Sequence, residues 1–248
     1  MKLLVDIGNT RLKWAIADDN TLTLADPLLL QAPTFKESLL KQWWMLPKTP
    51  IELAISCVSH AELLQQVILL AQELWPMIKL VIPKAQAYAL GVTNAYLEPE
   101  KLGVDRWLAL LAVRQLYQQP ACVIDCGTAI TVDFMNAQGQ HLGGVISPGL
   151  TLMKRALASG TEQLSYAENT YTAELAKHTQ AAIYSGTLYA AVGLIEKSLN
   201  RQEGRFKVFM TGGDAAVIAA ELAAETIVYE NLVFQGLLDV LNTVSLHS

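Results

Sequence analysis

"LLVDIGNTRLKW" occupies residues 3–14 and "CVIDCGTAITVD" occupies residues 122–133. Each reads as an apolar strand, an Asp, one further residue, a Gly, a small polar residue and a second strand. A carboxylate at the end of a buried strand is costly unless something offsets its lost hydration. The Gly lets the backbone turn tightly and lets a ligand approach the amides. One copy alone fits an Asx-type turn at a hairpin tip, with the Asp bonding its own backbone. Two copies, at Asp6 and Asp125, lie about half of the 248-residue chain apart. That points to an internal duplication: two similar α/β lobes, each opening on the same strand–turn–strand. The expected boundary falls at Gln118–Pro120, giving lobes over 1–118 and 119–248.

Working outward, "RLKWAIA" and "LTLADPLLL" extend the first strand into a meander. "TFKESLLKQWWM" reads as a helix and "IELAISCV" as a strand. Ser59-His60-Ala61-Glu62 has the pattern of a capping box opening a helix that Pro76 ends. "IKLVI" is a further strand. A Leu- and Ala-rich helix starts near Val104. After "ACVID" and "AITVDF" come the strand "HLGGVIS", helices over roughly 149–159 and 179–200, the strand "FKVFM", a Gly212-Gly213 turn, the helix "AAVIAAEL", the strand "TIVY" and a last helix. "ENLVFQG" (230–236) nearly matches a common tag-cleavage site, but its apolar residues continue in helical register into "LLDVL", so it reads as native sequence.

Composition narrows the function. The net charge is −5, the pI about 5.4, and no Lys/Arg block is present. A nucleic-acid partner is therefore not expected. No apolar run approaches a membrane span, and "MKLLVDIG" is no signal peptide. Three cysteines, Cys57, Cys122 and Cys126, without CxxC spacing suit reduced thiols in a cytoplasmic protein. The histidines at 60, 141, 178 and 247 form no ligand pattern and read as surface or loop residues. Trp43 and Trp44 read as core or as an interface patch. No GxxxxGK[ST] and no GxGxxG after a strand is present, which disfavours Walker and Rossmann sites.

The duplicated turn suits phosphate. Asn9, Thr10 and Thr128 carry donors for phosphate oxygens. Lys13, seven residues after Asp6, can return to the same cleft as a point charge. Carboxylates beside phosphate need a cation between, which suggests hydrated Mg²⁺ at both aspartates. "TGGDAA" (211–216) suits either a flat backbone seat for adenine or an ordinary turn with Asp214 as N-cap. In "NAYLEPEKLGVDRWLAL" (94–110), Asp105 and Arg106 open a helix. Asp there commonly compensates the helix dipole, but a cation beside it is unexpected. Arg106 suits a substrate carboxylate, and Asp105 suits accepting a hydroxyl proton.

"DIGNTRLK", "YLEPEKLGVDR", "DCGTAITVD", "GGVISPG" and "TGGDA", in this order over residues 6–214, together resemble type III pantothenate kinase. The resemblance implies two duplicated ribonuclease-H-like lobes of the acetate and sugar kinase, Hsp70 and actin superfamily. It also implies ATP-dependent phosphorylation of pantothenate to 4′-phosphopantothenate, the first step of coenzyme A biosynthesis. Asp6, Ile7, Gly8, Asn9, Thr10, Arg11, Leu12 and Lys13 then match the ATP-binding segment, and Thr128 a second ATP contact. Asp105 matches the catalytic base. Tyr96, Gly103, Val104, Asp105 and Arg106 match pantothenate contacts. Thr179 matches another, supplied across a homodimer with shared active sites. Asp125 matches a site for a monovalent cation, K⁺ or NH₄⁺, which moves Mg²⁺ to ATP near Asp6 alone. Two alternatives stand beside this: a superfamily kinase with another small substrate, and a regulatory relative that binds nucleotide without turnover.

Overall fold

The computed structural model describes residues 1–18, 21–58, 61–160, 164 and 169–245. The capping box at Ser59-His60 lies outside the described residues, as do His60 and His247. In chain order the elements are β1 (Lys2–Ile7), β2 (Arg11–Asp18), β3 (Thr21–Leu24), β4 (Leu28–Leu29), α1 (Phe35–Trp44), β5 (Glu52–Cys57), α2 (Ala61–Leu74), β6 (Lys79–Val81), β7 (Tyr88–Ala89) and β8 (Val92–Thr93). A 3₁₀ turn at Pro99–Lys101 leads into α3 (Val104–Leu116). Then follow β9 (Ala121–Cys126), β10 (Ala129–Met135), β11 (His141–Pro148), α4 (Leu150–Gly160), α5 (Thr179–Asn200), β12 (Lys207–Thr211), α6 (Ala215–Ala219), β13 (Thr226–Val228) and α7 (Leu232–Ser245). The expected third strand splits in two around Pro27, which cannot donate to a ladder; β3 and β4 both pair with β2.

The chain forms two compact units, Met1–Gln115 with Leu232–Ser248, and Leu116–Asn231. Their sheets share one plan. In the first the order is β3-β2-β1-β5-β6, and in the second β11-β10-β9-β12-β13. β1 pairs antiparallel with β2 and parallel with β5, as β9 does with β10 and β12. Against the lobes expected at 1–118 and 119–248, the boundary falls at 115/116 and residues 232–248 go with the first unit, where α7 packs on β1 and β5.

Strand alternation explains what each sheet face buries. In the first unit Leu3, Val5 and Ile7 pack with Phe35, Leu39 and Trp43 of α1 and Val67, Ile68 and Ala71 of α2. Leu4, Ala15, Ala17 and Ala54 face the other way, onto Val104 and Leu108 of α3 and Phe234, Leu237 and Leu241 of α7. In the second unit Cys122, Ile124 and Cys126 pack with Tyr184, Leu188 and Ile195 of α5 and Ile218 of α6. Burying each such Leu or Ile contributes about 1.5–3 kcal/mol. Trp43 is core and stacks at 5.5 Å on Trp75, whereas Trp44 is exposed. "ENLVFQG" runs into α7 as its register predicts, with Phe234 buried.

One histidine departs from expectation. His141 is buried on β11, not on the surface, and its Nε2 lies 2.9 Å from Asp133 Oδ1 on β10. A buried carboxylate and imidazole satisfy each other where neither could remain alone. No helix among the described residues is long and apolar enough to cross a membrane.

Candidate active site

The first unit gathers its polar residues where the β1–β2 hairpin ends. Asp6 is on the opposite face from Val5 and Ile7, and therefore on the side that α3 covers. Register places Lys13 of β2 and Ser56 of β5 beside it, one on each flank. Directly paired residues project from the same face, so Asp6, Lys13 and Ser56 form a short polar row at the strand ends. The turn closes through Gly8 N–H donating to Arg11 O at 3.1 Å. Asn9, Thr10 and Arg11 are exposed, whereas the Ile7 and Leu12 side chains are core. Any ATP contact from those two is therefore main-chain.

The row is electrostatically tense. Asp6 keeps some exposed surface, but its Oδ1 is sealed from water and accepts no hydrogen bond among the described residues. Burial pushes its carboxyl up to about 6; Lys13 opposes the shift, Asp105 adds to it, and Ser56 opposes it weakly. The Ser56 hydroxyl is buried beside Asp6 but makes no hydrogen bond of full geometry. Ser56 was missed in the sequence, because only the β1–β5 register reveals its place.

The substrate-side candidates meet at the start of α3. Asp105 Oδ1 accepts from the Arg106 N–H at 2.8 Å. A Cβ on Gly103 would come within 2.6 Å of that same oxygen. Arg106 is buried, Nη1 donates to the Tyr96 hydroxyl at 2.8 Å, and its guanidinium carbon lies 5.6 Å from the Tyr96 ring centroid. A cation buried at a helix N-terminus opposes the dipole there. That cost makes sense where an anion is to be received. Val104 is core. Thus Asp6, Lys13 and Asp105 are coupled through their charges, and Tyr96, Gly103, Asp105 and Arg106 are in contact.

In the second unit Asp125 is the penultimate residue of β9, flanked by Thr131 of β10 and Thr211 of β12. Thr128 is exposed in the turn, where Gly127 N–H donates to Ala129 O at 3.0 Å. Two other motifs press on this turn. Gly149 N–H donates to Thr128 O at 2.9 Å, and a Cβ at Gly149 would collide with Gly127 O. Gly212 has φ +96°, and a Cβ there would sit 2.5 Å from Cys126 O and 2.6 Å from Asp125 Oδ1. "DCGT", "SPG" and "TGGD" therefore form one packed cluster. Asp214 begins α6 without a side-chain cap; its own N–H donates to Cys126 O at 3.0 Å. Burial raises its carboxyl and Lys154 of α4 opposes the rise. Thr179 is exposed and is the first residue of α5 in the second unit. Among the described residues no group of three or more His, Cys, Asp or Glu could hold a metal ion, and all three cysteines are free.

Residues 2–201 match the family model described as type III pantothenate kinase. A type III pantothenate kinase from Nitrosococcus oceani is 36% identical, over 99% of this chain and 95% of its own length. That of Dechloromonas aromatica is also 36% identical, over 96% and 97%. Among solved structures, one described as a Baf family transcriptional activator from Campylobacter jejuni superposes with a TM-score of 0.63 at 19% identity, covering 98% of each chain. A 2-dehydro-3-deoxygalactonokinase from Sinorhizobium meliloti gives 0.61 at 11% identity, over 98% of this chain and 97% of that one. An archaeal actin homologue gives 0.51 at 10% identity, so the chain shares its fold with sugar kinases and actin homologues.

Proposed function

As this chain belongs to the type III pantothenate kinase family, we propose that it transfers the γ-phosphoryl group of ATP to the primary hydroxyl of pantothenate. The products are ADP and 4′-phosphopantothenate, and the reaction opens coenzyme A biosynthesis. The observation that carries this reading is the position of Asp105. It touches Arg106, which bonds Tyr96, and it is coupled by charge to Asp6 beside Lys13.

Asp105 accepts the hydroxyl proton as the phosphoryl group moves, and Arg106 with Tyr96 receives the pantothenate carboxylate. The transition state of phosphoryl transfer is loose, so most of the catalysis is positioning and charge stabilisation. Residues 6–13 bind the ATP phosphates through turn amides, Asn9 and Thr10 side chains and the Lys13 ammonium. Thr128 supplies a second ATP contact. An enclosed carboxylate oxygen without a donor suits a hard cation or its water, so Asp6 would hold Mg²⁺ with ATP. That ion, when bound, offsets phosphate charge. Asp125, among hydroxyl-bearing neighbours and the Cys126 carbonyl, suits a monovalent cation such as K⁺ or NH₄⁺. Thr179 reaches pantothenate across a homodimer, and the free thiols fit a cytoplasmic enzyme.

The test is ADP release with ATP and Mg²⁺, with and without pantothenate and with and without K⁺. Pantothenate-dependent release that K⁺ raises is expected. Release only with a sugar or acetate would point to another superfamily kinase, and nucleotide binding without release to a regulatory relative. For the dimer, mixing Asp105→Asn and Thr179→Ala chains should restore part of the activity. No rescue after proven subunit exchange would place Thr179 outside the shared site.

A further inference from the structure

Tyr96 sits in a stretch without regular structure, between β8 and the 3₁₀ turn, yet its hydroxyl meets Arg106 Nη1 at 2.8 Å. One side chain accounts for its placement. Asn94 Oδ1 accepts from the Tyr96 N–H at 3.0 Å, an Asx turn. Asn94 Nδ2 donates to two carbonyls, Gln86 O at 3.2 Å and Pro99 O at 3.1 Å. Its own N–H donates to Ala87 O at 2.9 Å. One acceptor and two donors are needed at one short side chain, and only Asn offers both at that length. Asp would turn an oxygen on two carbonyls.

The strand pair before Asn94 is anchored to the same helix that carries Arg106. β7 and β8 join through Leu90 and Gly91, with φ of 47° and 79°. Leu90 O accepts from Gln115 Nε2 at 2.7 Å, near the end of α3. Asn94 thus ties a loop fixed at the end of α3 to the residue that meets its beginning.

We propose that Asn94 is a positioning residue: it fixes Tyr96 against Arg106 and so sets the affinity for the substrate carboxylate, not the rate of transfer. This rests on the kinase reading above. Asn94→Ala should raise the pantothenate KM roughly 10- to 100-fold, the equivalent of about 1.4–2.7 kcal/mol. The ATP KM and kcat should stay within about twofold. Asn94→Ser, whose hydroxyl can still accept from Tyr96 N–H, should recover part of the loss, and Asn94→Asp should not. The decisive measurement is a double-mutant cycle with Tyr96→Ala. If Asn94 acts through Tyr96, Asn94→Ala adds nothing in the Tyr96→Ala background. Additive effects, or equal losses in kcat and in both KM values, would overturn the assignment. Amide exchange at Tyr96 checks the clasp without any activity: its protection should fall in Asn94→Ala and return in part in Asn94→Ser. Unchanged protection would overturn the proposal. If instead the wild-type protein releases no ADP with pantothenate while Tyr96 loses protection as expected, the substrate is wrong and the clasp stands.

Discussion

The two β-hairpins that open the two units share a strand order and an aspartate at the same place, yet they surround it differently. The first leaves four residues between its last paired positions, Ile7 and Leu12, and the second leaves three, between Cys126 and Ile130. That single residue changes what faces the carboxylate. Asp6 meets Lys13 across β2 and Ser56 across β5, whereas Asp125 meets Thr131 and Thr211. The first turn has only an ordinary neighbour, since a Cβ on Gly8 would stand 3.4 Å from Arg11 O. The second is gripped by Gly149 and Gly212. A duplicated scaffold has diverged into an open turn with a lysine opposite its aspartate and a backed one with hydroxyls there.

If the first unit carries the chemistry, the largest effect belongs to Asp105. Asp105→Asn should lower kcat about 10²- to 10⁴-fold, the usual worth of a general base, with little change in either KM. Turnover near wild type would remove the base from the mechanism and the asymmetry from the comparison. Lys13→Thr makes the first turn resemble the second. Losing a charge-assisted phosphate contact should raise the ATP KM about 10- to 100-fold; an unchanged KM would mean that the turn amides suffice.

The next effect is on stability. The Asp6 carboxyl is raised from 3.8 to about 6 in the folded protein. Between these values the native state holds a proton that the unfolded chain has lost, so stability falls as pH rises through this window and levels above it. Two pH units correspond to nearly 3 kcal/mol, and partial solvent exposure reduces this to about 2 kcal/mol. Asp6→Asn, which does not titrate, should therefore gain stability over wild type between pH 4 and pH 7 in urea unfolding. A constant difference across that range would show that Asp6 is not strained. Gly149→Ala should cost about 1–3 kcal/mol through overpacking, against a few tenths at Gly8, where a Cβ has room. Equal shifts in Tm would mean that the second turn is no more tightly backed than the first.

Much of this was legible because a strand–Asp–x–Gly–strand pattern is local. Lys13 could be placed by counting along one hairpin. Ser56 could not, since it reaches Asp6 only through a parallel pairing across α1. The β7–β8 pair was hidden because a two-residue turn with positive φ usually announces itself as Asn-Gly, and here Leu90 takes the first position. His141 looked like a loop residue because its partner, Asp133, lies on the adjacent strand. The roles at α3 came from the resemblance; residue chemistry alone left Asp105 between helix-dipole partner and base.

The membership of α7 in the first unit makes that unit depend on a distant stretch of chain. Gly236 lies so close to α3 that a Cβ would strike the Leu108 carbonyl, one turn from Asp105. Without α7, α3 and the Asp6 sheet would keep an uncovered apolar face at Leu4, Ala15, Ala54 and Leu108. A chain cut before Leu232 would keep every candidate site residue and lose the helix that supports α3, which bears Asp105. The first unit is thus discontinuous in sequence, and the apolar face beside Asp105 is closed by a helix that follows the whole second unit.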